Sequence, residues 1–331
     1  MTDKIQTSLR DSAAMRWTAL LLLSLAMFCA YIFVDILSPI KELMQEQRGW
    51  DSTAFGTMQG SETFLNVFVF FLIFAGIILD KMGVRFTAIL SGAVMLAGAL
   101  IKYYAISDSF AGSALDVWFT NNLNHIPVFE QLGVSPFYQG MPASAKVAAC
   151  GFMIFGCGVE MAGITVSRGI VKWFKGREMA LAMGSEMALA RLGVATCMIF
   201  SPFFAKLGGD INVSRSVAFG VVLICIALMM FIVYFFMDKK LDSQTGEAEE
   251  KEDPFKISDL GKILSSMGFW LVALLCVLYY SAIFPFQKYA VNMLQCNLTF
   301  HELPADLIRL SFSLHQMNPL IKVTKDLLSF T

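Results

Sequence analysis

The amino-acid sequence predicts an all-α membrane protein, on two observations. Hydrophobic residues make up 56 % of the chain and charged residues 15 %, with a mean hydropathy of +0.64, whereas soluble domains carry roughly 25 % charged residues. The apolar residues are gathered into runs of about twenty, the length that a helix needs to cross the hydrocarbon core of a bilayer. A lipid bilayer is therefore the expected surrounding, and a formal net charge of −1 gives no reason to expect a nucleic acid as partner.

Seven membrane spans are predicted in chain order. The first begins at Trp17, is too long for a cleaved signal peptide, and ends near Asp35 and Pro39. The predicted spans are residues 17–38, 57–79, 86–106, 147–170, 179–206, 216–237 and 264–288.

These spans divide the chain into regions. The predicted regions are an N-terminal segment 1–16, a six-helix transmembrane half 17–237 with an external insertion 107–146, a polar linker 238–261, a region 262–298 that holds span 7 and opens a second half, and an atypical tail 299–331. We expect short surface helices in the insertion and a solvated linker, because runs of charge such as Glu247–Asp253 are usually solvated. The tail lacks a twenty-residue apolar stretch, and we interpret it as an amphipathic surface segment or as a truncated or frameshifted end.

Lysine and arginine are concentrated on one side of this arrangement. The N-terminal segment, the turns after spans 2 and 4, and the linker after span 6 are richer in Lys and Arg than the loops between them. Because cytoplasmic loops carry this excess, the N-terminus is predicted to be cytoplasmic.

The turn between spans 2 and 3 carries a pattern of glycine and charge. Gly76 and Gly83 are expected to allow close backbone approach or a positive φ. Asp80, Lys81 and Arg85 would hold a tight charged turn at the membrane surface. The position of this pattern between two apolar segments makes it informative.

This turn resembles the signature that joins helices 2 and 3 of the major facilitator superfamily, although Phe86 replaces its last basic residue. Residues 172–180 look like the family's connection from helix 4 to helix 5, and the resemblance covers roughly residues 15–298. It implies a major facilitator type helical bundle, in which the aspartate of the turn supports the inward gate by contacting a helix end in the second half. A twelve-helix carrier would need five further spans, so we expect this chain alone to transport poorly or not at all.

A closer likeness is to the lysosomal dipeptide carriers and their bacterial relatives. It is carried by Phe33-Val34-Asp35 late in span 1, by Tyr279–Phe286 in span 7, and by an acid and an arginine in spans 4 and 5. In those carriers the matching acid and arginine are implied to hold the termini of the dipeptide. The resemblance leads us to expect the bacterial cytoplasmic (inner) membrane.

The acid of span 4 and the arginine of span 5 are the main candidates for substrate binding. Glu160 and Arg191 both lie near the midpoints of their spans, and ionisable side chains at that depth are costly unless paired or hydrated. Glu160 could pair with an ammonium and Arg191 with a carboxylate, as a zwitterion requires. The alternative is a structural ion pair that locks the two spans together.

Further polar residues are assigned to binding or gating. Tyr279, Tyr280 and Asn66 are candidates to line the substrate cavity. Asp35, Glu62 and Lys288 fall at the outer ends of spans 1, 2 and 7, where they would form an external gate or a proton-sensing cluster. Arg168, at the inner end of span 4, is expected to snorkel or to gate.

The sequence favours a secondary active or facilitative transporter of a small solute, with dipeptides preferred and protons as a candidate co-substrate. An organic-anion exchanger of the same superfamily, with Arg191 as anchor and Glu160 structural, is the first alternative. The others are a non-transporting fragment and a seven-helix receptor or light-driven protein. No Walker-type loop, nucleophile–histidine set or metal-ligand spacing is present, so we expect no enzyme activity, no cofactor and no metal.

Overall fold

The computed structural model describes residues 9–122, 137–138, 140–245, 261 and 263–297, with the backbone alone for 245, 287 and 290–297. All regular structure in these residues is helical. The α-helices are α1 Ala13–Asp35, α2 Lys41–Arg48, α3 Ser52–Gly60, α4 Phe64–Phe68, α5 Phe71–Ile106, α6 Ala114–Asn122, α7 Ala143–Trp173, α8 Met179–Lys206, α9 Val213–Thr245 and α10 Met267–Asn297. Below, the outer end of the bundle is the end at α2 and the inner end is the end at Gly83, following the predicted orientation.

Within the described residues, six helices are long and apolar enough to cross a membrane, and the predicted span 2 is not a continuous helix. The predicted span 57–79 is divided among α3, a 3₁₀ turn Ser61–Thr63, α4 and the first part of α5. A second break follows at Phe70, which has φ 54°. The first break coincides with close packing, because a Cβ at Gly156 of α7 would collide with the carbonyl of Glu62.

Helix α5 contains the rest of span 2 and the whole of span 3. Its only non-helical residue is Gly83, whose φ of 78° and ψ of 167° turn the chain between the two parts. Such a conformation strongly favours glycine, so the prediction for Gly83 is confirmed. Gly76 has no positive φ, and a Cβ there would meet none of the described residues within 4 Å, so neither expectation for this glycine is met in the described part of the chain.

The second part of α5 packs backbone to backbone against α7. A Cβ on Gly98 would lie 2.5 Å from the carbonyl oxygen of Gly151, and a Cβ on Gly158 would lie 2.7 Å from the amide nitrogen of Met95. Small residues permit this approach in membrane helices, where packing rather than exclusion of water drives association. A similar glycine contact joins α1 to α8, since a Cβ on Gly193 would lie 2.5 Å from the carbonyl oxygen of Phe28.

The divided span 2 runs parallel to α7 in a nearly constant register. The Trp50 indole donates to Ser144 at 2.9 Å near the outer end, and the Ser61 hydroxyl donates to the carbonyl of Ala149 at 3.1 Å further in. Asp80 pairs with Arg168 near the inner end. The sequence separations of these three pairs are 94, 88 and 88 residues, so neighbouring turns of the two elements stay level along the membrane.

The regions outside the spans differ in part from the prediction. The short helix α6 lies in the insertion 107–146, as expected. The linker predicted from residue 238 begins later, because α9 continues to Thr245. This extension carries Asp238 and Asp242, one turn apart, which pair with basic residues of neighbouring helices. Most of the predicted linker and the tail 299–331 lie outside the described residues.

Helix α2 fastens the outer end of the bundle. The Arg48 guanidinium donates to the carbonyl of Ile106 at 2.7 Å and to Asp108 at 2.5 Å, and the Asn212 amide donates to Asp108 at 3.0 Å. Asp108 therefore joins the ends of α2 and α5 to the start of α9.

The glycine contacts between α5 and α7 lead to a stability prediction. Gly98→Ala should destabilise the protein by about 1–3 kcal/mol, because the added methyl group overpacks a backbone contact. Gly163→Ala is the matched control on α7, where a Cβ would meet nothing within 4 Å, and it should be neutral or stabilising by up to about 1 kcal/mol through helix propensity. Thermal unfolding in detergent measures both, and equal effects of the two substitutions would contradict the packing argument.

The outer fastening leads to a pH prediction. The pKa of Asp108 is lowered because Asn212 and Arg48 donate hydrogen bonds to its carboxylate. A group with a lowered pKa contributes stability that is present above its ordinary value, about 3.9 for Asp, and that is lost as the pH falls through the folded value. Hydrogen exchange at Ser107, Asn212 and Val213, corrected for the intrinsic rate, should therefore accelerate below about pH 4. Asp108→Asn should show the faster exchange already at neutral pH; a variant that exchanges like the wild type would refute this role.

Candidate functional site

Arg191 lies at the middle of α8 and faces α1. Its guanidinium carbon is 5.8 Å from the centre of the Tyr31 ring, a cation–π arrangement that leaves the five N–H donors available at the ring's edge. Both residues are half-buried. Among the described residues, no carboxylate lies within ion-pair distance of Arg191, although the charge of Arg191 acts on Glu186 one and a half turns earlier in α8.

Glu160 lies at the middle of α7, level with Asn66 of α4. Gly156 of α7 touches the backbone of Glu62 in span 2. Glu160 lies one helical turn beyond Gly156, and Asn66 lies four residues beyond Glu62 in the same direction. Neither the nitrogen nor the oxygen of the Asn66 amide has a hydrogen-bond partner within the described part of the chain, and both atoms are buried. Buried amide groups are seldom left without partners, so this turn is a candidate for contact with a ligand.

Tyr31 connects the two sides of this central region. Its phenol lies within electrostatic range of Arg191 on α8, Glu160 on α7 and Glu62 on span 2. The structure therefore brings Glu160 and Arg191 to one neighbourhood without an ion pair between them in the residues described. The alternative of a structural lock between spans 4 and 5 receives no support from this geometry.

The two tyrosines predicted to line the cavity lie elsewhere. Tyr279 and Tyr280 of α10 are 57 % and 40 % exposed. Their ring contacts, within the described residues, are with each other and with Phe284. They are not brought to Glu160 or Arg191, and their role in binding stays a prediction.

The acids and the lysine predicted for the outer gate do come together. The Lys288 ammonium is 2.6 Å from the Asp35 carboxylate, and Asp35 is 4 % exposed. Ser38 donates to Asp35 at 3.3 Å and accepts from Gln59 at 3.1 Å, which ties α10, α1 and α3 into one chain of contacts. Glu62 lies within electrostatic range of Asp35 and Lys288.

The predicted inner gate is organised around two separate ion-pair groups. Asp80 pairs with Arg168 of α7, so in the described residues its partner is in the first half and not in a helix of the second half. Lys81 is exposed. Arg85 does not take part in that pair; its guanidinium is 3.2 Å from Asp242 of α9.

Asp238 is the buried centre of the second inner group. Its carboxylate is fully buried and accepts from the Lys172 ammonium at 2.6 Å, from the Trp173 indole at 2.9 Å and from the Tyr234 hydroxyl at 3.3 Å. Asp242 accepts from Lys172 at 2.8 Å. This network fixes the inner ends of α5, α7 and α9 relative to one another.

Sequence reasoning missed several residues that the structure places in these groups, among them Tyr31, Asp238 and Lys102, whose charge acts on Glu62 of the outer group. Tyr31, Lys102 and Asp238 lie within or at the edge of apolar runs and match no motif. A signal existed for Asp238, because Asp238 and Asp242 are one turn apart at the end of span 6, on the same membrane side as Lys172 and Arg85. Nothing comparable marked Tyr31, since an aromatic residue in a span is usually a packing residue.

Long apolar helices with opposite charges at mid-depth and ion-paired groups at each end define the chain as a helical membrane protein. It belongs to the Major Facilitator Superfamily, whose family model matches residues 23–299. That family consists of transporters and not of enzymes.

The chain is also similar to proteins named lysosomal dipeptide transporter MFSD1. The Danio rerio protein is 24 % identical over 268 residues, which cover 78 % of this chain and 50 % of that protein. The Gallus gallus protein is 28 % identical over 144 residues, covering 41 % and 32 %, and the Homo sapiens protein is 27 % identical over 144 residues, covering 41 % and 30 %. The chain thus spans at most half the length of these relatives. No solved structure matches it.

The Asp238 network leads to a stability prediction. Asp238→Asn keeps the shape of the side chain but removes the fully buried carboxylate that accepts from Lys172, Trp173 and Tyr234, and hydrogen bonds to a charged group contribute about 1.5–3 kcal/mol. Asp242→Asn is the control, because Asp242 is partly exposed and a partly solvated pair contributes about 0–1 kcal/mol. Thermal unfolding in detergent should show a much lower midpoint for Asp238→Asn, and equal midpoints would contradict the central role of Asp238.

Proposed function

We propose that this chain is the substrate-binding half of a secondary active or facilitative carrier, and that the substrate is a dipeptide or another small zwitterion moved by alternating access. Membership of the Major Facilitator Superfamily supports the transport mode. The dipeptide is supported by the name of the similar proteins together with the central geometry. In this proposal the N-terminus is cytoplasmic, as the distribution of lysine and arginine predicts, and α10 belongs to the second, moving bundle.

One observation carries the substrate class. Glu160 and Arg191 bring opposite charges to the middle of two helices, and neither has an ion-pair partner among the described residues. Ionisable groups at membrane depth are expensive without compensation. A zwitterion compensates both, with its ammonium at Glu160 and its carboxylate held by Arg191.

The spacing of a dipeptide suits two neighbouring helices. Its termini lie roughly 6–7 Å apart at about 3.3–3.6 Å per residue. The peptide unit between them offers one donor and one acceptor, which are the complement of the buried Asn66 amide. A site built in this way binds termini and backbone, and it leaves the substrate's side chains loosely specified.

The two ends of the bundle would act as gates. The Asp35–Lys288 pair joins α1 to α10 at the outer end, so its rupture would accompany outward opening. At the inner end Asp80, held by Arg168, would present the turn around Gly83 to the second bundle. We further propose the bacterial cytoplasmic membrane as the location; the similar proteins named above are lysosomal.

Competition binding to the purified chain in lipid nanodiscs tests the substrate class. Labelled Ala-Ala should be displaced by unlabelled Ala-Ala about 10- to 100-fold better than by its N-acetylated or C-amidated form, because each modification removes one charge-assisted contact. Glu160→Gln should abolish the preference over the N-acetylated form, and Arg191→Gln should abolish the preference over the amide.

Glu186→Gln is the control, since Glu186 is another half-buried acid near Arg191, and it should keep both preferences. If Glu160→Gln leaves them intact and the N-acetylated form binds as well as the free dipeptide, the organic-anion alternative replaces the dipeptide. Absence of any dipeptide binding by the wild-type chain would overturn the proposal.

A further inference from the structure

Helix α10 is held to the rest of the protein chiefly through one charge. None of its residues from Met267 to Phe286 is buried. Near the outer end of α10, the Tyr289 ring contacts the Phe55 ring, with 6.2 Å between the ring centres. The Lys41 ammonium lies 5.2 Å from the centre of the Tyr289 ring. Among the side chains that the structure describes, Lys288–Asp35 is the ion pair that crosses this interface.

Asp35 and Lys288 belong to a group of four ionisable side chains, two acids and two lysines, which we call the outer charge cluster: Asp35, Glu62, Lys102 and Lys288. Each lysine acts electrostatically on both acids. Among the described residues, the other ionisable groups that face the cluster are Glu160 of α7, Cys197 of α8, Tyr31 of α1 and Tyr289 of α10. If α10 moves away with Lys288, the cluster retains two acids and one lysine, and an uncompensated buried charge costs several kcal/mol.

Lys102 occupies an unusual position in this cluster. Its side chain is fully buried in α5, and its ammonium has no hydrogen-bond partner within the described residues. The ammonium lies 3.5 Å from the centre of the Phe152 ring and 5.0 Å from that of Phe33. Cation–π contacts stabilise the charge while its three donors stay unused. The charges of Glu62 and Asp35 both act on Lys102, so the acids lie within electrostatic range of its ammonium.

We propose that Lys102 is the reserve counter-ion of the outer gate. While α10 is docked, Lys288 neutralises Asp35 and Lys102 is held on the Phe152 and Phe33 rings. When α10 departs, the flexible four-carbon side chain of Lys102 turns its ammonium from the rings to the carboxylates of Asp35 and Glu62. One lysine therefore remains beside the two acids of the first half after Lys288 has left. This inference rests on the proposed function in one respect, namely that α10 moves relative to the first half.

A cycle of variants in the absence of substrate tests the proposal. Lys288→Met imitates the departed helix. Lys102→Met should lower the thermal midpoint less while Lys288 is present, because one cation then remains beside the two acids. In the Lys288→Met background the same substitution should cause a much larger drop, or prevent folding, since both acids then lack a cation. Lys102→Arg, which keeps the charge, should be tolerated in both backgrounds.

Glu62→Gln distinguishes charge compensation from packing. Added to the Lys102→Met, Lys288→Met double variant, it should restore most of the lost stability or expression, because it removes one of the two bare acids. Equal, additive effects of Lys102→Met in the two backgrounds, or no rescue by Glu62→Gln, would overturn the proposal.

A distance measurement checks that Lys288→Met releases α10. Spin labels on non-canonical amino acids at the exposed positions Glu42 and Ala282 leave the native cysteines in place. Their separation in nanodiscs should lengthen in Lys288→Met and stay short in the wild type. An unchanged distance would show that the ion pair does not hold α10 and would refute the gate. Since no substrate is used, failure of dipeptide binding would leave these results unaffected.

Discussion

A charge inside a bilayer needs compensation, and the ways in which this chain supplies it divide the molecule into three levels. At the inner end, Asp238 is compensated by Lys172 and by the Trp173 and Tyr234 donors of neighbouring helices. At the outer end, Asp35 is compensated by Lys288 of α10. At the central level, Glu160 and Arg191 have no ion-pair partner in the residues described. The three levels thus differ in the source of the opposite charge. It is the six-helix half itself at the inner end, α10 at the outer end and, in the proposed function, a ligand at the centre.

This division depends on helix packing that keeps each residue at its depth. Span 2 and α7 maintain their register from Trp50–Ser144 to Asp80–Arg168. Glycines without side chains allow the backbones of α5 and α7 to touch, and a backbone contact between rigid helices resists sliding. The break at Ser61–Thr63 occurs where Glu62 meets Gly156. The break places Glu62 and Asn66 on two short elements beside α7. In a continuous helix, the helical period would instead fix the directions of both side chains.

The sequence was sufficient for the class of protein and for most span positions, because apolar length is a direct response to bilayer thickness. It also predicted that Asp35 and Lys288 would meet, since both fall at outer span ends. It failed where tertiary contacts decide the outcome. The first break in span 2 coincides with a contact to Gly156 of α7, nearly a hundred residues away, and the extension of α9 carries acids that pair with bases of α5 and α7. Lys102 escaped notice because its aromatic partners, Phe33 and Phe152, come from two other helices.

In the proposed function, a zwitterion at the central level would also connect two parts of the protein. Tyr31 of α1 and Arg191 of α8 belong to one packed pair of helices. Asn66 of span 2 and Glu160 of α7 belong to another. A substrate that joins Glu160 to Arg191 therefore bridges two helix pairs, each of which is rigid through glycine contacts. A ligand with only one charge would satisfy one pair and leave the other uncompensated in the membrane. Selection for both termini then follows from the cost of the unsatisfied charge, and it requires no pocket for the side chains.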